Sequence, residues 1–233
     1  MAADSVWERV LMASDLLWPD ENVVRCVNRF FGRVPREERA ALSALDIGFG
    51  SGRHVLYLAQ EGFRVYGLDI AQTAIKRILD KAARYNLSVN IRQEELLQTT
   101  MPTQAFALVV GWGSLFCADS EGVRANLHKV HDLLLPSGIL CANFRTTRNW
   151  FYGLGESLGK HTFRLDARSR DYEGIIYHFF EEDELVALLQ EAGLEVIYNE
   201  YVEWRKFGTE THSWWIITAR KPAWAIPHTA CSH

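Results

Sequence analysis

Asp46-Ile47-Gly48-Phe49-Gly50-Ser51-Gly52-Arg53-His54 is the stretch that decides the fold. A short apolar strand, Leu45-Asp46-Ile47, runs straight into three glycines, and an amphipathic helical stretch over 53–61 follows at once. Gly48 lets the chain turn sharply, Gly50 lets backbone approach a ligand closely, and Gly52 allows tight packing of helix on strand. The free N–H groups at the helix start then face whatever lies above the turn. The glycines fall as GxGxG, with Arg53 where the dinucleotide fingerprint needs its last glycine. That spacing argues against a pyrophosphate cradle, and so against an NAD-dependent dehydrogenase.

Working outward, a second strand over 64–68 ends in Asp69, about 20 residues past the turn, where a carboxylate can accept hydrogen bonds from a ribose diol. The plain alternative is that Asp69 caps the helix beginning near Thr73. That helix, over 73–85, is expected to turn Ile75, Ile78, Leu79 and Ala82 inward. Strands are expected over 89–91, 106–110 and 139–142, with a helix over 121–135 stopping at Pro136-Ser137-Gly138. This alternation predicts an α/β fold, Rossmann-like and doubly wound. Its sheet would be mostly parallel and seven-stranded, with an antiparallel last strand.

The flanks read differently. Residues 1–35 form an N-terminal helical cap, with Trp7, Val10, Leu11 and Ser14 on one helical face. A second helix follows Trp18, with Pro19 in its first turn and Asp20 and Glu21 at its positive end. Residues 144–180, rich in Arg, Gly, Tyr and Phe, show no clean period. They follow a strand's C-terminal end, where open α/β sheets bind ligands, so this insertion is read as a substrate cap. A helix over 181–192 stops at Gly193, and a final antiparallel pair over 194–204 and 212–219 turns around Gly208. The whole reads as a single domain over 1–222 with a loose tail over 223–233.

Composition narrows the function. The 233 residues are 48% hydrophobic, enough for a sizeable core. Net charge is −4 with no long basic stretch, which disfavours nucleic acid as a partner, because phosphate neutralisation needs clustered cations. Cys26, Cys117, Cys141 and Cys231 fit no zinc spacing, so no metal is expected, and apolar neighbours suggest that the first three are reduced thiols. The N-terminus lacks an apolar signal core, and no run approaches the ~18 apolar residues of a membrane span. A cytoplasmic protein without membrane contact is therefore expected, a monomer or homodimer acting on a small-molecule substrate.

Three segments together resemble class I S-adenosylmethionine (SAM)-dependent methyltransferases: residues 45–52, Gly67-Leu68-Asp69-Ile70, and residues 133–140. Trp18-Pro19-Asp20-Glu21-Asn22 and Tyr177-His178-Phe179-Phe180 look like members acting on small metabolites. The resemblance implies SAM as cofactor. Gly48, Gly50 and Gly52 would shape the turn beneath its methionine part, and Asp46 would help hold the amino group. Asp69 would bind the ribose, with Ile70 against the adenine. Glu95 matches the acid that meets the adenine amino group, with Leu96 beside it. The fourth strand and turn, Val110-Gly111-Trp112-Gly113, would lie under the sulfonium, with Gly111 and Trp112 as cofactor contacts. Two positions depart from the family pattern: Ala107 replaces a structural Asp, and Phe49, where a small residue is usual, would narrow the methionine site.

SAM already carries an activated carbon, so holding the acceptor in line is the enzyme's main task. Candidates for orienting or deprotonating the acceptor are His178, Tyr177 and Asn143. Arg145 could grip a carboxylate or phosphate, as could Arg148 and Arg164. Trp18, Tyr172 and Trp204 are candidate substrate contacts, and Trp112 and Trp150 further candidate walls. For each, ordinary packing is the competing use. The leading expectation is methyl transfer to O or N of a small metabolite. Attack on the aminobutyrate chain of SAM, releasing methylthioadenosine, is a second, and a non-catalytic SAM-binding module a third.

Overall fold

A computed structural model describes residues 3–223. From residue 224 on, the expected loose tail lies outside the described residues, and so does Cys231. The helices are α1 (Ala3–Ala13), α2 (Glu21–Phe31), α3 (Arg36–Arg39), α4 (Arg53–Gln60), α5 (Gln72–Arg84), α6 (Ser120–Leu133) and α7 (Glu182–Glu191). The strands are β1 (Ser43–Ile47), β2 (Arg64–Asp69), β3 (Val89–Gln93), β4 (Phe106–Gly111), β5 (Leu134–Arg145), β6 (Glu156–Gly159), β7 (Thr162–Arg164), β8 (Ile176–His178), β9 (Glu195–Lys206) and β10 (Glu210–Arg220).

Seven strands form one sheet in the order β3-β2-β1-β4-β5-β10-β9. The first five run parallel, and β10 lies antiparallel between β5 and β9. This is the Rossmann-like sheet expected from the sequence. Strand order reverses between β1 and β4, and the crevice at such a switch point is where open α/β sheets take ligands. Both faces are covered. Leu45, Val109 and Leu140 pack in one core layer with Val123, Leu127 and Val130 of α6. Val65, Leu108 and Cys141 pack in the other with Val27 of α2, Val55 of α4 and Ile78 of α5. All six residues of β4 are buried, as a central parallel strand requires.

Local chemistry sets several boundaries. Asp20 is the N-cap of α2, its carboxylate accepting the Asn22 N–H at 3.0 Å, so Pro19 stands outside the helix and not in its first turn. α6 ends at Leu133, earlier than the apolar pattern suggests. Pro136 forces the residue before it into extended geometry, and Leu134 already pairs with Phe106 as strand. On α5 the buried residues are Ala74, Ile78 and Ala82, whereas Leu79 is 49% exposed and does not turn inward. The 144–180 insertion begins later than expected, since Phe144 and Arg145 complete β5. It holds structure of its own: β6, β7 and β8 form a small antiparallel sheet, and residues Ala167–Tyr172 a 3-10 segment. Strands of three or four residues are too short to show alternation in sequence.

α1 lies across the C-terminal edge of the sheet, tied down along its middle and its C-terminal end. Arg9 donates to the Asp171 and Glu173 carbonyls. The Glu8 carboxylate accepts the Thr73 N–H at the start of α5, and Arg77 donates to the Leu11 and Ser14 carbonyls. Among the described residues no helix is long and apolar enough to cross a membrane.

Candidate functional site

At the switch point a cavity of about 290 Å³ opens between the ends of β1, β2 and β4 and the underside of α1. The glycine turn forms its floor. Gly48 holds φ +65°, and a Cβ there would lie 2.6 Å from the Ser114 Cβ, so only glycine fits between the two strand ends. A Cβ on Gly50 would point at Leu11 of α1, 3.4 Å away across the cavity mouth. Gly52 acts elsewhere: its Cβ would fall 2.5 Å from Ile78 Cδ1, so it packs helix on helix and does not line the cavity.

Asp69 stands at the end of β2 on the cavity wall, buried. Its Oδ2 accepts the Gly50 N–H at 2.7 Å and its Oδ1 the Ala71 N–H at 2.9 Å. Burial raises its pKa, and the backbone donors of Ala71 and Gly50 oppose that rise. Asp69 thus fixes the glycine turn and the approach to α5 while lining the cavity; the N-cap of α5 is Ala71, with no side-chain cap bond, so Asp69 does not cap that helix. A carboxylate offers about four acceptor sites, which leaves room for a ligand's donors. Beyond Asp69, Ile70, Glu94, Glu95 and Leu96 continue the wall. Glu94 accepts from Thr99 Oγ1 at 2.7 Å, and Glu95 from Gln98 Nε2 at 2.8 Å. Glu94 is therefore a second acid at this end, which sequence reasoning passed over for its neighbour.

Other expected cofactor contacts sit elsewhere. Gly111 and Trp112 do not line the cavity; Gly113, Ser114 and Leu115, a turn further along, do. A Cβ on Gly111 would meet Leu115 at 2.5 Å, and Trp112 packs edge-on to His54 in the opposite core layer. Phe49 does not line the cavity. Its ring lies over Gly67, where a Cβ would be 2.8 Å from Phe49 Cδ1, so a glycine inside β2 makes room for the large residue in the turn. Asp46 points to the far face of β1, away from the cavity lining. It is 1% exposed, its Oδ2 has no hydrogen-bond partner among the described residues, and His54 Nδ1 lies 3.9 Å away. Burial pushes the Asp46 carboxyl up to about 8 and the His54 imidazole down to about 3. His54 Nε2 accepts the Asp20 N–H, so this neutral pair locks α2 to the start of α4.

The expected acceptor residues also divide. Asn143 Oδ1 accepts the Gly113 N–H at 2.6 Å and so sets the β4 turn that lines the cavity. His178 is buried in the small sheet, 2.7 Å from Thr162 Oγ1 and 3.4 Å from Glu184, and braces that sheet to α7. Tyr177 is buried among Phe116, Phe151 and Tyr172. Neither residue lines the cavity. Trp18 is 82% exposed, and Trp204 stacks on His212 at the hairpin end. The tryptophan that does line the cavity is Trp7, with Val10 and Leu11 beside it. The apolar face of α1 was legible from its spacing, but what that face covers was not. Cys117 also lines the cavity; burial pushes its thiol up to about 12, against the pull of the Arg145 charge.

Residues 44–138 match the family model described as a methyltransferase domain. The chain is 30% identical over 91 residues to uncharacterized methyltransferases of Schizosaccharomyces pombe, a match covering 38% of this chain and 63% of theirs. It superposes on a SAM-dependent methyltransferase of Methanosarcina mazei with a TM-score of 0.67 at 22% identity, over 77% of this chain and 92% of that one. Residues 44–138 thus match a methyltransferase domain, and the chain shares the fold of SAM-dependent methyltransferases. Another structure of the same fold is the 1,6-didemethyltoxoflavin-N1-methyltransferase of Burkholderia thailandensis, with TM-score 0.61 and 19% identity over 95% of this chain and 92% of that one. SAM is the cofactor that this similarity implies, and the cavity suits it. Asp69 keeps free acceptor capacity for a diol, Ile70 and Leu96 offer apolar faces for a base, and the Gly48–Gly50 turn leaves room that any side chain would fill.

Proposed function

We propose that this methyltransferase transfers a methyl group from SAM to an oxygen or nitrogen atom of a small-molecule acceptor. The observation that carries the reading is the Asp69 carboxylate, held by the Gly50 and Ala71 N–H groups on the wall of a switch-point cavity. Asp69, Ile70, Glu95 and Leu96 would hold the adenosyl part, and Gly48 and Gly50 would pass beneath the methionine chain. When bound, SAM supplies a methyl carbon activated by a sulfonium. The cavity residues suit orientation better than proton removal. Its titratable groups are Asp69, Glu94 and Glu95 at the adenosyl end, and Cys117, whose raised pKa keeps it a thiol at neutral pH. An acceptor that is already nucleophilic therefore fits best. Correct placement can supply up to about 7–11 kcal/mol of the barrier, without a protein base.

The roles first considered for His178 and Tyr177 are better read as structural, and that of Asn143 as positioning, through the Gly113 amide. Incubating the protein with SAM and a panel of small phenols, amines and carboxylates should yield S-adenosylhomocysteine. Methylthioadenosine as the sole thioether product would overturn methyl transfer in favour of chemistry at the aminobutyrate chain.

A further inference from the structure

Arg145, the last residue of β5, is 6% exposed, and among the described residues no carboxylate lies within salt-bridge distance of it. Its guanidinium sits instead in an aromatic cage, 4.3 Å from the Trp214 ring centre, 4.5 Å from Phe151, 4.8 Å from Tyr177 and 5.4 Å from Phe116. One donor, Nη1, reaches Asn149 Oδ1 at 3.2 Å, and Nε has no partner. A guanidinium has five N–H donors, and burying it without an anion is costly even where ring faces offset part of the loss.

The orphaned donor is not alone. Trp150 Nε1 and His212 Nε2 are also buried without partners. Those two rings lie 6.3 Å apart. The backbone brings all three residues together: Arg145 pairs with Trp214 in the β5–β10 register, and the Trp150 N–H donates to the Thr211 carbonyl. Of the nearby acids, Glu210 pairs with Arg170 and lies 3.7 Å from His212 Nε2, and Glu203 pairs with Arg148, so neither serves Arg145. The cage also adjoins the cofactor cavity. Phe116, one of its walls, precedes Cys117, which lines that cavity. On the outside, Tyr172 of the 3-10 segment packs on Phe151 and Tyr177, and Arg170 in that segment holds φ +62° and ψ −120°, an unfavourable backbone for a non-glycine residue.

We infer that Arg145 and the Trp150 indole N–H form an anion site for a carboxylate group of the acceptor, next to the Phe116–Cys117 edge of the cofactor cavity. This rests on the methyl-transfer reading and names the substrate class: a small, planar, carboxylate-bearing molecule. A carboxylate has two in-plane oxygens, which one guanidinium edge and one indole N–H satisfy. The apolar ring walls suit a flat body.

The test is calorimetric titration of the full chain, with and without S-adenosylhomocysteine, using sodium benzoate, benzamide and phenylphosphonate as probes. Benzoate should bind at least about tenfold more tightly than benzamide. Arg145→Gln should weaken benzoate by about ten- to a hundredfold, the range for losing a charged hydrogen-bond partner. Trp150→Phe, which removes only the N–H, should weaken it by about threefold or more, and it serves as the test if Arg145→Gln fails to fold. Equal binding of benzoate and benzamide, no benzoate binding, or benzoate binding indifferent to both substitutions would overturn the proposal. Tighter binding of phenylphosphonate would overturn the carboxylate assignment. The titrations without cofactor stand by themselves, so a failure to bind S-adenosylhomocysteine would strike the methyl-transfer reading and leave this result legible.

Discussion

At the scale of single residues, two buried carboxyls carry opposite tasks. Asp69 accepts two backbone N–H groups and faces the cavity, so Asp69→Ala removes both a ligand contact and a brace. Its affinity for SAM, measured by calorimetry, should fall by about 2–3 kcal/mol, and the Gly50 and Ala71 amides left unpaired should lower unfolding stability as well. Unchanged affinity would remove Asp69 from the site. Asp46, in contrast, is held neutral. Its folded pKa of about 8 lies above the ordinary 3.8, so its stabilising contribution is whole at low pH and is lost as pH rises through about 8. His54 acts at the other end: with a folded value near 3 against 6.5, it withdraws stability only as pH falls below 6.5. Between pH 6.5 and 8 the Asp46 effect therefore stands clear of the His54 one. Over that window the urea midpoint of the wild type should decline, and Asp46→Asn should flatten the decline. A parallel slope in both proteins would rule out the buried neutral carboxyl.

Among the elements, α1 is the one whose role depends on others. Its Trp7, Val10 and Leu11 roof the cavity, yet α5 and the 3-10 segment hold it there. Two of the carbonyls at its C-terminal end are satisfied by Arg77. Arg77→Ala leaves the cavity walls untouched while releasing that end. It should raise the dissociation rate of S-adenosylhomocysteine in stopped-flow by several-fold, consistent with losing about 1–2 kcal/mol of roof anchoring. A dissociation rate equal to the wild type would mean that the roof opens elsewhere.

Across the whole molecule, the parallel sheet and its cofactor turn were legible because they are local. Gly48, Gly50 and Asp69 announce themselves by spacing along one βαβ unit. The cavity's other half is not local. Trp7, Ser114 and Cys117 come from α1 and from the stretch after β4, and no sequence period links them. The same limit explains the misplaced Trp112 and Gly111, which sit a turn too early, and the misplaced His178. An invitingly placed imidazole reads alike whether it meets a substrate or, as here, Thr162 and Glu184. The placement of Phe49 was not legible because its partner, Gly67, lies on the neighbouring strand.

The sheet's order also governs how the polypeptide can assemble as it is made. β9 touches the sheet only through β10, which is threaded between it and β5. While the ribosome is still adding residues 210–220, β9 has no neighbour to join, and the edge of β5 stays open to solvent. Residues 210–220 are thus the stretch that seals the sheet, and until they arrive the nascent protein carries a ready template for mispairing with another chain.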